Sequence, residues 1–256
     1  MKCAFCHNEA VSGEHLWDDW INEELPKRTR FNAKKRLSLD ATPIQFVSVG
    51  LREKVPVVCE KCNNGWMSGL TAKVKERFSG TVLNGEPFSL SPRDATNLAA
   101  FTFMKASVKD YCYGRPPFFN RDARKRLWKS FTIPPLTKIW FAAHQGAARY
   151  SFHSNFHLFD TVAPGPLHGM EFFCYTYILG NLTLQLLAPR WKDISVGAKP
   201  LLTLTPNDFW RPATIQFWPY TGEVHWPPEK YLGDGTIEQF IYRFNVPVNV
   251  PISWFS

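Results

Sequence analysis

The sequence predicts an α+β protein: a small four-cysteine module, then a helix pair, then an antiparallel β-rich region. Three observations carry that expectation. Cys3-x-x-Cys6 and Cys59-x-x-Cys62 bracket the first part of the chain. Two helical patterns with clear start signals follow it. From about residue 136 onward, short runs of aromatic and β-branched residues alternate with turn signals. The expected division is residues 1–80 for the cysteine module and 81–256 for the remainder.

Within the module, "LWDDWINEEL" places Leu16, Trp17, Trp20, Ile21 and Leu25 near helical spacing, which predicts a short amphipathic helix. "IQFVSVGL" and "KVPVVC" read as two short strands with a turn at Gly50. After Cys62, Trp66, Leu70, Val74 and Phe78 recur every four residues, the apolar stripe of a helix, so Trp66 belongs to the core. Gly80 and "NGEP" at Asn84–Pro87 mark a boundary. Ser91 is then a plausible N-cap with Pro92 at the first helical position, and the helix they open is apolar nearly all round, hence buried. "NRDARKRLWKSF" predicts a further helix capped by Asn120.

Four strands follow in "TKIWFAAH", "ARYSFHSNFHLF", "EFFCYTYIL" and "LTLQLLAP", with Gly180-Asn181 as a tight hairpin turn between the last two. "TIQFWPYTGEVHW" predicts another hairpin around Thr221-Gly222, and the proline-punctuated tail reads as irregular. The histidines at 144, 153, 157, 168 and 225 lie in or near these strands, and no role is assigned to them.

Composition narrows the class. The chain of 256 residues is 45% hydrophobic and 20% charged, ordinary for a folded domain. No apolar run approaches the roughly 18 residues of a membrane span, and no apolar stretch follows Met1-Lys2, so the expectation is a cytoplasmic protein without a membrane partner. The net charge of +8 is unevenly placed. Residues 1–25 carry one lysine against six acids, and residues 26–77 carry twelve Lys/Arg against four acids. Lys27, Arg28, Arg30, Lys34, Lys35 and Arg36 fall in one acid-free stretch. That stretch suits either a phosphate-contacting arm or a solvated loop.

The paired cysteines Cys3, Cys6, Cys59 and Cys62 have the spacing of a structural zinc site, because two residues between thiolates let both face one tetrahedral ion. The competing reading, a redox Cys-x-x-Cys, lacks the strand–helix–strand context it needs. Cys112 and Cys174 sit among apolar residues and are expected to be buried free thiols. Glu14-His15 supplies an acid beside a nitrogen base, and Asn63 offers a neutral oxygen ligand. Such a set suits metal-assisted hydrolysis, although Glu14-His15 also fits a capping or core-facing pair.

Taken together, Cys3-x-x-Cys6, Glu14-His15 and Cys59-x-x-Cys62-Asn63-Asn64 resemble the HNH endonuclease family in its zinc-stabilised treble-clef (ββα-metal) form, over residues 1 to about 78. "CNNGWMSGL" and "LSPRDATNLAAFTFMKASVKDY" are also similar to uncharacterised bacterial proteins with an HNH-like amino terminus. The resemblance implies a metal-dependent endonuclease that hydrolyses phosphodiester bonds, DNA foremost. It implies His15 as general base, Glu14 and Asn63 as ligands of a catalytic Mg²⁺ or Mn²⁺, and the four cysteines as ligands of a structural Zn²⁺. Asn64 would serve instead of Asn63, or be a helix cap. Lys54 stands where the family places its middle asparagine. The alternatives are a non-catalytic, zinc-stabilised nucleic-acid-binding protein and a protein- or ligand-binding module.

Overall fold

The computed structural model describes residues 1–24, 30–35, 44–51, 53–112, 116–146, 150–159, 170–191, 208–241 and 243. It is a mixed helical and antiparallel-sheet protein with the four cysteines gathered near its amino terminus. The chain opens with β1 (Ser12–His15), α1 (Asp19–Glu24), β2 (Arg30–Lys35), β3 (Ile44–Val49) and β4 (Lys54–Val58). The two strands expected in "IQFVSVGL" and "KVPVVC" both form, but they do not pair with each other. β4 pairs antiparallel with β1, and β3 pairs antiparallel with β2. The basic stretch is therefore partly a strand: Arg30, Lys34 and Lys35 lie on β2, while Lys27, Arg28 and Arg36 lie outside the described residues.

Beyond Cys59 the chain turns helical sooner than the apolar stripe alone suggests. α2 (Glu60–Cys62) leads into a wide π-type turn over Asn63–Met67 and then α3 (Ser68–Asn84). Gly65, with φ −98° and ψ −109°, breaks the helical geometry at the join. Neither Asn63 nor Asn64 is an N-cap, a position held by Cys59 for α2 and by Met67 for α3; Asn63 is the C-cap residue of α2. α3 runs through Gly80 and stops at Asn84, where Gly85 adopts a left-handed conformation that a side chain would disfavour. The expected boundary at residue 80 thus falls inside a helix.

α4 (Pro92–Tyr111) follows β5 (Phe88–Leu90) and begins as its local chemistry dictates. Ser91 Oγ accepts from the Asp94 amide at 3.1 Å, and Pro92 occupies the first turn, where no amide is needed. From Leu98 to Asp110 every residue of α4 is buried. α5 (Arg121–Ser130) is capped by Asn120 Oδ1, which accepts from the Ala123 amide at 2.8 Å.

The main sheet has the order β10-β6-β9-β8-β7, with β6 (Lys138–His144), β7 (Tyr150–Phe159), β8 (Met170–Leu179), β9 (Leu182–Trp191) and β10 (Thr214–Trp218). All neighbours on this path are antiparallel, and β12 (Tyr231–Leu232) adds a parallel pairing at the end of β6. α4 and the cysteine module cover one face. α6 (Asp234–Ile241) covers the other through Ile237, Phe240 and Ile241, which pack on Ala142 and Ile178. Both faces are covered, so β8 and β9 are buried along almost their whole described length. One continuous apolar cluster runs from Cys3 and Phe5 through Phe78 to Phe173 and Trp226, uniting residues on both sides of position 80.

Two expectations for the last quarter fail here. "TIQFWPYTGEVHW" is not a hairpin, because β10 pairs with β6 while β11 (Val224–Trp226) pairs with β5. The tail also contains a regular helix, α6. The Gly180-Asn181 turn is as expected and has a second duty. Asn181 N and Nδ2 both donate to Val82 O, at 3.0 and 3.1 Å, satisfying a carbonyl of the last turn of α3. Gly180 has φ +59°, and an added Cβ would lie 2.2 Å from that same oxygen. Gly180→Ala is therefore expected to cost upwards of about 1–3 kcal/mol, from backbone strain plus displacement of the docked turn, measured by urea unfolding. An unchanged midpoint would mean that the turn is not docked on α3.

Candidate metal centre and the histidine face

The four-cysteine centre is assembled from two loops that the β1–β4 pair holds together. Cys3 N donates to Asn8 O at 2.9 Å, closing the first knuckle, and Ala4 N donates to Val57 O at 2.9 Å, fixing it to β4. Cys59 and Cys62 follow β4 directly, on either side of the first turn of α2. All four thiols are buried, none is in a disulfide, and their sulfurs lie within 4.8 Å of one another. Cys6 Sγ and Cys59 Sγ are 3.5 Å apart. A tetrahedral zinc with bonds near 2.3 Å places its sulfurs about 3.8 Å apart, so the set has the donors and spacing to hold such a metal.

Asn8 Nδ2, 3.8 Å from Cys59 Sγ, adds the outer hydrogen bond that thiolate sites use. The hydrogen bond between Cys62 and Cys3 pulls the Cys3 thiol down and pushes Cys62 up. Trp66 meets Phe5 edge-on at 5.0 Å and seals the side of the module, in keeping with its expected core role. Of the remaining cysteines, Cys174 is buried, which pushes its thiol up to about 12, whereas Cys112, expected to be buried as well, is only half-buried and donates to Val108 O at 2.9 Å. Among the described residues, no other group of three or more His, Cys, Asp or Glu side chains is placed to hold an ion.

Glu14, His15 and Asn63 sit beside this centre but do not share one function. Consecutive residues of a strand point to opposite faces. Glu14 points inward, is 6% exposed, and places Oε1 2.9 Å from Lys105 Nζ. Lys105, on α4, is 1% exposed and also meets Asp18 Oδ1 at 2.8 Å and His15 O at 3.0 Å. Both carboxylates hold the Lys105 ammonium well above its ordinary range, more than offsetting burial. Glu14 thus fits the core-facing alternative, with Oε1 engaged by Lys105.

His15 takes the other face. Its Nδ1 lies 3.2 Å from Asp19 Oδ2, and its side chain is 21% exposed. Asp19 opens α1, so the strand end and the helix start bring base and carboxylate together four residues apart. The cross-strand partner of His15 is Lys54, an exposed residue whose stem would lie 3.3 Å from a Cβ on Gly13. Asn63 Nδ2 donates to Ser12 Oγ at 2.8 Å and reaches Gly13 O at 3.5 Å. His15, Asp19 and Lys54 therefore border the outer side of β1, while Asn63 is tied to the start of the same strand. Asp19 and Lys105 each leave a signal in the sequence: an acid four residues after the histidine, and a lysine that is the one charged residue between Leu98 and Val108 of the helix expected to be buried.

Compared with known proteins, the chain matches no family model, no curated protein and no solved structure. No helix among the described residues is long and apolar enough to cross a membrane.

Proposed function

We propose that the amino-terminal part of this chain is an HNH-type phosphodiester hydrolase acting on nucleic acid, DNA foremost, held in shape by one Zn²⁺ on Cys3, Cys6, Cys59 and Cys62. The observation that carries this reading is the His15–Asp19 pair on the outer face of β1. A carboxylate on Nδ1 fixes the tautomer and orientation of an imidazole and leaves Nε2 to take a proton, as a general base requires. Asp19 thereby supplies the support that the family draws from the asparagine replaced by Lys54.

In the step this implies, a water oxygen bonds to phosphorus while His15 Nε2 accepts the water proton. The opposite phosphorus–oxygen bond breaks, and the leaving oxygen is protonated from solvent. Lys54, across the strand from His15, supplies positive charge for the phosphoryl oxygens. Asn63 braces the strand through Ser12 and Gly13. Glu14 supplies no ligand in this step, because its carboxylate is engaged by Lys105.

The test is cleavage of plasmid DNA by the zinc-loaded protein with Mg²⁺ or Mn²⁺ present. His15→Ala is expected to lose about 10²–10⁴-fold in rate while its melting temperature holds, the usual contribution of a positioned base. Asp19→Asn should lose a smaller part of kcat with KM unchanged. Full cleavage by folded His15→Ala removes His15 from the reaction, and no cleavage by the wild type removes the reaction itself.

One observation favours a second reading, a zinc-stabilised nucleic-acid-binding module without cleavage: the Glu14–Lys105 pair takes a carboxylate away from the surface. That reading expects salt-sensitive binding, weakened when Lys27, Arg28, Arg30, Lys34, Lys35 and Arg36 are neutralised together, and no strand scission in any metal.

A further inference from the structure

We propose that Glu14 and Asp18 form a cation site whose resident cation is the chain's own Lys105, so that divalent metal is excluded from Glu14. An ammonium has three donors and no acceptor. Lys105 Nζ meets three oxygens: Asp18 Oδ1 at 2.8 Å, Glu14 Oε1 at 2.9 Å and His15 O at 3.0 Å. Two carboxylates and a backbone carbonyl are the hard oxygen donors that Mg²⁺ or Mn²⁺ would use. Here a tethered charge engages all three.

The tether is rigid. Lys105 projects from the middle of α4, where every residue from Leu98 to Asp110 is buried, and its ammonium also lies 5.7 Å from the centre of the Phe101 ring. Withdrawing it would mean dismantling the core. Around it, Leu16 O is taken by Tyr177 OH at 2.9 Å, and Thr71 Oγ1 approaches Asp18 Oδ1 at 3.4 Å. These contacts hold the loop from β1 to α1 in place.

A second feature marks the cluster as a cation site rather than a simple ion pair. Asp18 is 5% exposed, yet its Oδ2 has no hydrogen-bond partner among the described residues. Two carboxylates against one ammonium leave one negative charge over, and Asp18 Oδ2 is the oxygen left without a donor. With Lys105 removed, two carboxylates and His15 O would line one pocket beneath β1. The raised proton affinity of Lys105 agrees with its acting as a permanent charge.

The proposal stands whether or not the module cleaves nucleic acid, and its test reads metal rather than activity. Mn²⁺ is titrated into the zinc-loaded full chain and followed by electron paramagnetic resonance. Wild type and Glu14→Gln are expected to bind Mn²⁺ alike. Lys105→Ala is expected to gain a single Mn²⁺ site at least tenfold tighter than any in the wild type, and Lys105→Ala/Asp18→Asn to lose it. If Lys105→Ala does not fold alone, millimolar Mn²⁺ added during refolding should restore a cooperative melt. A wild-type Mn²⁺ site that disappears in Glu14→Gln overturns the exclusion. A folded Lys105→Ala that gains no Mn²⁺, or an unfolded one that Mn²⁺ does not rescue, overturns the cation site.

Discussion

Stripping the metal from the four-cysteine centre, or replacing Cys59 by serine, is expected to unfold the amino-terminal module and to lower the melting temperature of the whole chain. The apparent binding free energy of a structural zinc is about 10–16 kcal/mol at neutral pH in zinc-finger peptides, as large as the total stability of an ordinary domain, about 5–15 kcal/mol. The local protein contacts cannot replace it. The first knuckle is tied to β4 by the Ala4–Val57 hydrogen bond, and β1 and β4 form a two-stranded sheet with an irregular register between Ser12 and Glu14.

The damage should spread, because Cys3, Phe5, Trp17 and Trp20 belong to the same apolar cluster as Phe101, Phe173 and Tyr177. Metal analysis of the purified protein should return one zinc per chain. A strong chelator should abolish protection of the β1–β4 amides from hydrogen exchange, and added zinc should restore it. The loss should come sooner at lower pH, since protons compete with the metal for thiolate. A chelated protein with full amide protection would reduce the cysteines to buried apolar residues.

How much of this was readable beforehand depended on how local each signal was. Ser91 and Asn120 act within one helical turn, so the starts of α4 and α5 could be placed from the sequence. Gly180-Asn181 is equally local. Strand partners are not. Nothing in "KVPVVC" or "TIQFWPYTGEVHW" says that β4 returns to β1, or that β10 and β11 join different sheets, because those choices are made by what the rest of the chain can bury. α6 runs against the expected irregular tail although Ile237, Phe240 and Ile241 have helical spacing, since the prolines around it dominate the pattern. At the site, the cysteine cluster was legible from spacing. The roles of Glu14 and His15 were not, because a sequence does not state which face of β1 looks inward. Tertiary contact decided that: Lys105 claims Glu14 from below, and Asp19 meets His15 from outside.

Lys105→Met should cost about 3–5 kcal/mol of unfolding free energy, the penalty typical of removing one partner from a buried ion pair. The cost arises less from lost attraction than from what is left behind. Glu14 and Asp18, 6% and 5% exposed, would face each other across an apolar side chain with no counter-charge, and His15 O would lose its donor. This predicts a specific pattern of rescue. Lys105→Met combined with Glu14→Gln and Asp18→Asn should recover part of the loss, because the buried charges are gone, whereas Glu14→Gln alone should cost less than Lys105→Met.

The pH dependence has a definite sign. The Lys105 ammonium loses its proton at higher pH in the folded chain than in the unfolded one, so its contribution is complete below the unfolded value of about 10.4. The contribution declines as pH rises beyond that value, because the unfolded chain gives up the proton first and the folded chain must keep it. Wild type should therefore lose stability with rising pH above about 10 more steeply than Lys105→Met, in urea melts run side by side. Parallel alkaline slopes for the two proteins would mean that Lys105 is not charged against Glu14 and Asp18. The inward face of β1 would then lose the interaction that commits it to structure, and Glu14 would again be open to a metal.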